Sequence, residues 1–107
     1  MNSRIVIAVY RPYPGKEKEL QIVVSKHYSV LLKEKLVTER LPIVMRAKDD
    51  SIVEVFEWLS PEAITSAHST PEVLKLWEEF SEVCTYDKPV SVEEFHNLFS
   101  EFEPLNC

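Results

Sequence analysis

Two helix starts stand ten residues apart, directly behind a run that reads as a β-strand, and few folds tolerate that pattern. The run is Ile52-Val53-Glu54-Val55-Phe56-Glu57-Trp58. The starts are Ser60-Pro61-Glu62 and Thr70-Pro71-Glu72. Each has a hydroxyl residue at the N-cap, a proline at the first helical position, where no amide hydrogen is needed, and a glutamate beside the positive end of the helix dipole. The spacing predicts a short helix over 61–69 and a second over 71–84. The stretch from Glu57 to Val73 therefore turns a strand into two helices and holds Glu57, Trp58 and His68 close in sequence. It is a candidate wall of a small pocket.

Upstream, Ile5-Val6-Ile7-Ala8-Val9-Tyr10 is a β-branched run that predicts a central strand buried on both faces. Pro14-Gly15 follows, a pair suited to a turn with positive φ at its second position. In the next segment Leu20, Val23, Val24, His27, Tyr28, Leu31 and Leu32 recur at spacings of three and four, which predicts a helix over 16–37 with one apolar stripe. Residues 43–47 and 52–58 read as a hairpin around the polar turn 48–51. Alternation sends Val53, Val55 and Glu57 to one face of the last strand, and Ile52, Glu54, Phe56 and Trp58 to the other. Val73, Leu74, Leu76, Trp77, Phe80, Val83 and Cys84 form the apolar face of the 71–84 helix. Residues 85–90 read as a connector. Ser91-Val92-Glu93-Glu94 is a capping box predicting a helix over 92–98, and 99–103 a last strand stopped by Pro104.

The order β-α-β-β-α(α)-β predicts an α+β fold of the ferredoxin-like split βαβ type, a four-stranded antiparallel sheet with helices on one face. With 107 residues the chain reads as a single domain, 1–107, able to build one core. Its strands carry apolar side chains on both faces, and the helices cover one. The uncovered face predicts a homodimer with two sheets packed face to face.

Composition excludes several classes. Asp and Glu number 18 against 12 Lys and Arg, a net charge of −6, so phosphate backbones are repelled and nucleic acid is not an expected partner. No apolar run approaches the roughly 20 residues that span a bilayer, and the start of the chain lacks the pattern of a signal peptide. A cytoplasmic protein with no membrane association is expected. The single glycine, Gly15, leaves no glycine-rich phosphate loop. Cys84 reads as a small buried hydrophobe, and a bridge to Cys107 remains the alternative. His27, His68 and His96 fall on different elements without metal-ligand spacing, so no metal and no cofactor are expected.

Pro14-Gly15-Lys16-Glu17 after the first strand, and Glu57 followed after ten residues by His68-Ser69-Thr70-Pro71, resemble the dimeric α/β-barrel superfamily and within it the antibiotic biosynthesis monooxygenase-like domain. The resemblance spans roughly residues 5–105. It departs from the family where many relatives carry a second histidine after the helix-starting proline, for this chain has Glu72 and Val73. The helix from Val73 to Cys84 also lacks the histidine with which the haem-degrading branch ligates haem.

The resemblance implies a cofactor-independent monooxygenase of aromatic or quinol-like small molecules. Its base would be His68 or His27, with Glu57 orienting a histidine and Tyr10, Phe56, Trp58 and Trp77 contacting substrate. Each of these residues has a purely structural alternative: a core histidine for His27, a backbone hydrogen bonder for His68, a strand-end hydrogen bonder for Tyr10, a turn cap for Glu57, and core or dimer-interface packing for Phe56 and Trp58. The alternative function is a non-catalytic dimeric small-molecule-binding or stress-related protein of the same fold.

Overall fold

The computed structural model describes residues 2–105. It is an α+β fold: three helices lie against an open antiparallel sheet of five strands in the order β4-β1-β3-β2-β5. The elements are β1 (Arg4–Pro12), α1 (Glu17–Lys33), β2 (Ile43–Arg46), β3 (Ile52–Trp58), α2 (Pro61–Ala67), α3 (Pro71–Val83), β4 (Cys84–Asp87) and β5 (Glu103–Pro104). Two 3₁₀ turns, Pro89–Ser91 and Glu93–His96, link β4 to β5. Among the described residues no helix is long and apolar enough to cross a membrane.

The turn into α1 forms as its sequence dictates. Gly15 has φ 82° and Lys16 N–H bonds the Tyr13 carbonyl at 2.9 Å, a type II geometry that proline at the second position and glycine at the third favour. Ser60 caps α2, its Oγ accepting from Ala63 N–H at 3.0 Å. Thr70 precedes α3 as expected, yet its hydroxyl donates to the Ser66 carbonyl at 2.8 Å. It therefore closes the end of α2 rather than opening α3.

Strand alternation divides the sheet cleanly. Tyr10, Val44, Ile52, Phe56 and Trp58 face the helices and pack with Leu20, Val24, Leu31, Val73, Leu76 and Phe80. On the other face Val9, Val53 and Met45 form one row across β1, β3 and β2. Val92, Phe95 and Phe102, from the segment after β4, cover that row.

Six expectations need correction here. The sheet has five strands, not four. Residues 85–90 are not a connector, because Cys84–Asp87 pairs with Val9–Pro12 of β1 as β4. The 92–98 helix is a single 3₁₀ turn over Glu93–His96, and the 99–103 strand shrinks to Glu103–Pro104, where Pro104 sits inside the strand beside Met45 at the sheet edge. An edge strand tolerates proline because one side needs no ladder hydrogen bond. Helix α1 ends at Lys33 rather than residue 37. Finally β1, though central, is not buried on both faces: Ile5 and Ile7 are exposed, and only part of the second face is covered, by the chain's own C-terminal segment. The proposed partner of Cys84, Cys107, lies outside the described residues; Cys84 itself is buried.

Candidate functional site

Between the sheet and α1, α2 and α3 lies a cavity of about 490 Å³, within the range of small-molecule sites. Val6, Ala8 and Tyr10 of β1, together with Phe56 and Trp58 of β3, form its sheet wall. The facing wall is His27 of α1, His68 at the end of α2, and Trp77 and Phe80 of α3, with Tyr86 of β4 at the side. The ten lining residues include no lysine, arginine, aspartate or glutamate.

Six of the seven residues singled out in the sequence thus line one cavity: His27, His68, Tyr10, Phe56, Trp58 and Trp77. Even-numbered positions of both β1 and β3 face the helices, which brings Tyr10, Phe56 and Trp58 together. His27 sits on the α1 stripe that packs on this wall. Glu57 is elsewhere. It accepts from Ser3 Oγ (2.7 Å), Thr38 Oγ1 (2.9 Å) and Arg40 Nε (2.9 Å) at the end of β3, away from the cavity. Those donors, Arg40 first and then Ser3 and Thr38, hold its carboxyl down at about 2.

Sequence reasoning missed Glu54, which lies behind the cavity wall. It is 1% exposed. Its Oε1 accepts from the Tyr10 hydroxyl at 2.7 Å and bonds His27 Nδ1 at 2.8 Å. Its Oε2 is buried and has no hydrogen-bond partner among the described residues. A carboxylate only accepts, so His27 donates from Nδ1, and in its neutral form the ring keeps a lone pair on Nε2. Burial, then the Glu54 charge and hydrogen bond, push the Tyr10 hydroxyl well above its ordinary pKa, so it stays a donor. One signal for Glu54 was available: alternation put a carboxylate on the same face as Ile52, Phe56 and Trp58, and a buried charge needs partners.

Aromatic rings fix this group in place. The Tyr10 ring stacks on Phe80 with centroids 4.7 Å apart, and the His27 ring meets the edges of Phe56 and Phe80 at 5.2 and 5.3 Å. His68 is held differently. Its Nδ1 donates to the Ile64 carbonyl at 2.9 Å, and its ring stands edge-on to Trp77 with centroids 5.1 Å apart. Because a carbonyl only accepts, Nδ1 is again the donor, and in the neutral form of the ring Nε2 carries the lone pair. Burial pushes the Tyr86 hydroxyl above its ordinary value and the Cys84 thiol up to about 11, which leaves both protonated near neutrality.

Phe80 and Tyr86 also joined the site without a sequence signal of their own. Phe80 read as core, and Tyr86 lay in the supposed connector. No group of three or more His, Cys, Asp or Glu side chains that could hold a metal ion occurs among the described residues. Compared with known proteins, the chain matches no family model, and no curated protein matches it either.

Proposed function

We propose that the chain is a cofactor-independent monooxygenase of flat aromatic or quinol-like small molecules, built as an antibiotic biosynthesis monooxygenase-like member of the dimeric α/β-barrel superfamily and working in the cytoplasm as a homodimer. The observation that carries the proposal is Glu54. A buried carboxylate that holds Nδ1 of His27, with Tyr10 as second donor, is more than a binding pocket needs and is what a general base needs.

In this mechanism a substrate lies among Phe56, Trp58 and Trp77 with its phenolic hydroxyl or activated C–H at His27. His27 Nε2 takes the proton, and Glu54 stabilises the imidazolium that forms, the role an acid plays behind a catalytic histidine. The substrate anion is left against an apolar lining, where it reacts with O₂. One oxygen atom enters the product as a carbonyl. The other leaves as water, whose two hydrogens are the proton that His27 returns and the one shed by the carbon that becomes the carbonyl. The organic anion supplies the electrons, so no metal or flavin enters the balance. Glu57 takes no part in this mechanism, and its orienting role passes to Glu54.

Oxygen uptake across a panel of quinols, naphthols and anthrones tests the proposal. His27→Ala should lose a factor of about 10² to 10⁴ in rate, the usual worth of a positioned general base, while still binding substrate. A panel in which no compound consumes oxygen above the blank would replace the enzyme with the alternative, a non-catalytic dimeric small-molecule-binding or stress-related protein.

A further inference from the structure

The two histidines of the cavity differ in what holds them, and that difference assigns them different tasks. His27 is 4% exposed and tied to a carboxylate, so a positive charge on its ring has a buried partner. His68 is exposed, and its Nδ1 is tied to a neutral carbonyl at the end of a seven-residue helix. A proton taken up by His68 gains no such partner. Both rings bond through Nδ1 and, in the neutral form, leave Nε2 as an acceptor, from α1 in one case and from the end of α2 in the other. The cavity therefore offers two hydrogen-bond acceptors on separate elements, in a lining without a charged side chain.

We infer that His68 is a specificity-determining anchor rather than a second base, and that the cavity selects neutral aromatic diols, molecules with a hydroxyl donor at each end. This rests on the proposed reading of the cavity as a substrate site. A hydroxyl at His27 is the one that loses its proton. A second hydroxyl, at the opposite end of the ring system, donates to His68 Nε2 and fixes the ring between Trp77 and the Phe56–Trp58 wall. A ligand with one donor leaves one of the two nitrogens without a partner once water is displaced, at the cost of about one net hydrogen bond. A carboxylate ligand meets two lone pairs and no cation, and is rejected.

Calorimetric titration of the whole chain with three probes tests the assignment without turnover. The probes are 2,6-dihydroxynaphthalene, 6-methoxy-2-naphthol and 6-hydroxy-2-naphthoate, used under argon. The diol should bind about fivefold more tightly than the methyl ether, the worth of one hydrogen bond, and the carboxylate more weakly than either. In His68→Phe, which keeps a ring against Trp77, the preference for the diol should vanish while the methyl ether binds as before. His68→Gln, whose amide oxygen is again an acceptor, should keep the preference. Equal binding of diol and methyl ether to the unmodified protein overturns the anchor and leaves the cavity reading intact. So does a diol preference that survives in His68→Phe, or one lost equally in His68→Gln. Tighter binding of the carboxylate overturns the selection for neutral diols. If none of the three probes binds, the cavity reading itself falls and the anchor with it.

Discussion

At the scale of single residues, the buried Glu54 carboxylate has the largest consequences. Burying a charge is unfavourable unless hydrogen bonds replace its water, and here two donors share one oxygen while the other has no partner among the described residues. The group is therefore sensitive to the loss of either donor. Tyr10→Phe keeps the ring stacked on Phe80 and removes only the hydroxyl. It should destabilise the fold by about 1–3 kcal/mol, the penalty for a buried group left short of partners, read as a lower urea midpoint with unchanged slope. Glu57 behaves in the opposite manner because it has three donors and lies at the sheet's end. Its folded value of about 2 lies below the ordinary 4.5. Its contribution to stability is thus complete above about pH 4.5 and is lost as pH falls from there towards 2. Replacing Arg40 by Ala removes the largest cause, so the Glu57 carboxyl should titrate at a higher pH, nearer the ordinary value. Carboxyl carbon NMR on labelled glutamate checks this, and an unmoved titration would contradict the assigned cause.

At the scale of elements, the end of α1 shows how a fold can be legible in pattern and hidden in detail. The apolar stripe from Leu20 to Leu32 announced the helix, and the pattern ran on through Leu36 and Val37. The chain stops the helix earlier by placing Lys35 at φ 60°. Lys35 N–H then bonds the Leu32 carbonyl at 2.9 Å and Leu36 N–H the Leu31 carbonyl at 3.0 Å. That is a Schellman closure, and Leu36 packs in the same cluster as Leu31. Lysine in a left-handed conformation costs about 1 kcal/mol, and glycine is the residue that avoids the cost. Lys35→Gly should therefore raise stability by about 0.5–1 kcal/mol, seen as a small upward shift in Tm. A fall in Tm would mean that the lysine stem is packing there.

The same contrast runs through the rest of the chain. β1, β3, α2 and α3 were legible because their periods and caps are local properties of the sequence. β4 was not, since Cys84 continues the α3 pattern and only pairing with Val9–Pro12 makes the next residues a strand. The short 3₁₀ turns depend on contacts with the far sheet face and β5 on pairing with the edge of β2, which local pattern does not encode. For the site, alternation put Phe56 and Trp58 on one face and the α1 stripe carried His27, while His68, Tyr10 and Trp77 were singled out through the resemblance. Alternation was not enough to choose between two glutamates on one strand, because that choice depends on which face the helices cover.

At the scale of the whole molecule, the two faces of the sheet are unequally finished. The helix face is covered by α1, α2 and α3 and holds the cavity. On the other face the Val9–Val53–Met45 row is sealed by Val92, Phe95 and Phe102, whereas the next row, Ile7–Val55–Ile43, is not. Ile5, Ile7 and Ile43 are 61, 49 and 56% exposed. Four aliphatic side chains fall short of the roughly 800 Å² per partner that a stable interface buries. The segment lying on this face adds Val90, Leu98 and Phe99, at 66, 91 and 78% exposed. A second copy related by a two-fold axis would let these residues of one protomer meet the open row of the other, each apolar Å² contributing roughly 25 cal/mol. Light scattering at micromolar concentration should then give twice the 12.5 kDa chain mass, about 25 kDa. Ile7→Asp places a charge in the open row and should give the 12.5 kDa species. Because Ile7 and the cavity occupy opposite faces of β1, the variant should bind the aromatic diol with unchanged affinity. A wild-type protein that scatters as a monomer would end the dimer proposal. A monomeric Ile7→Asp that also loses the ligand would mean that the cavity depends on the partner.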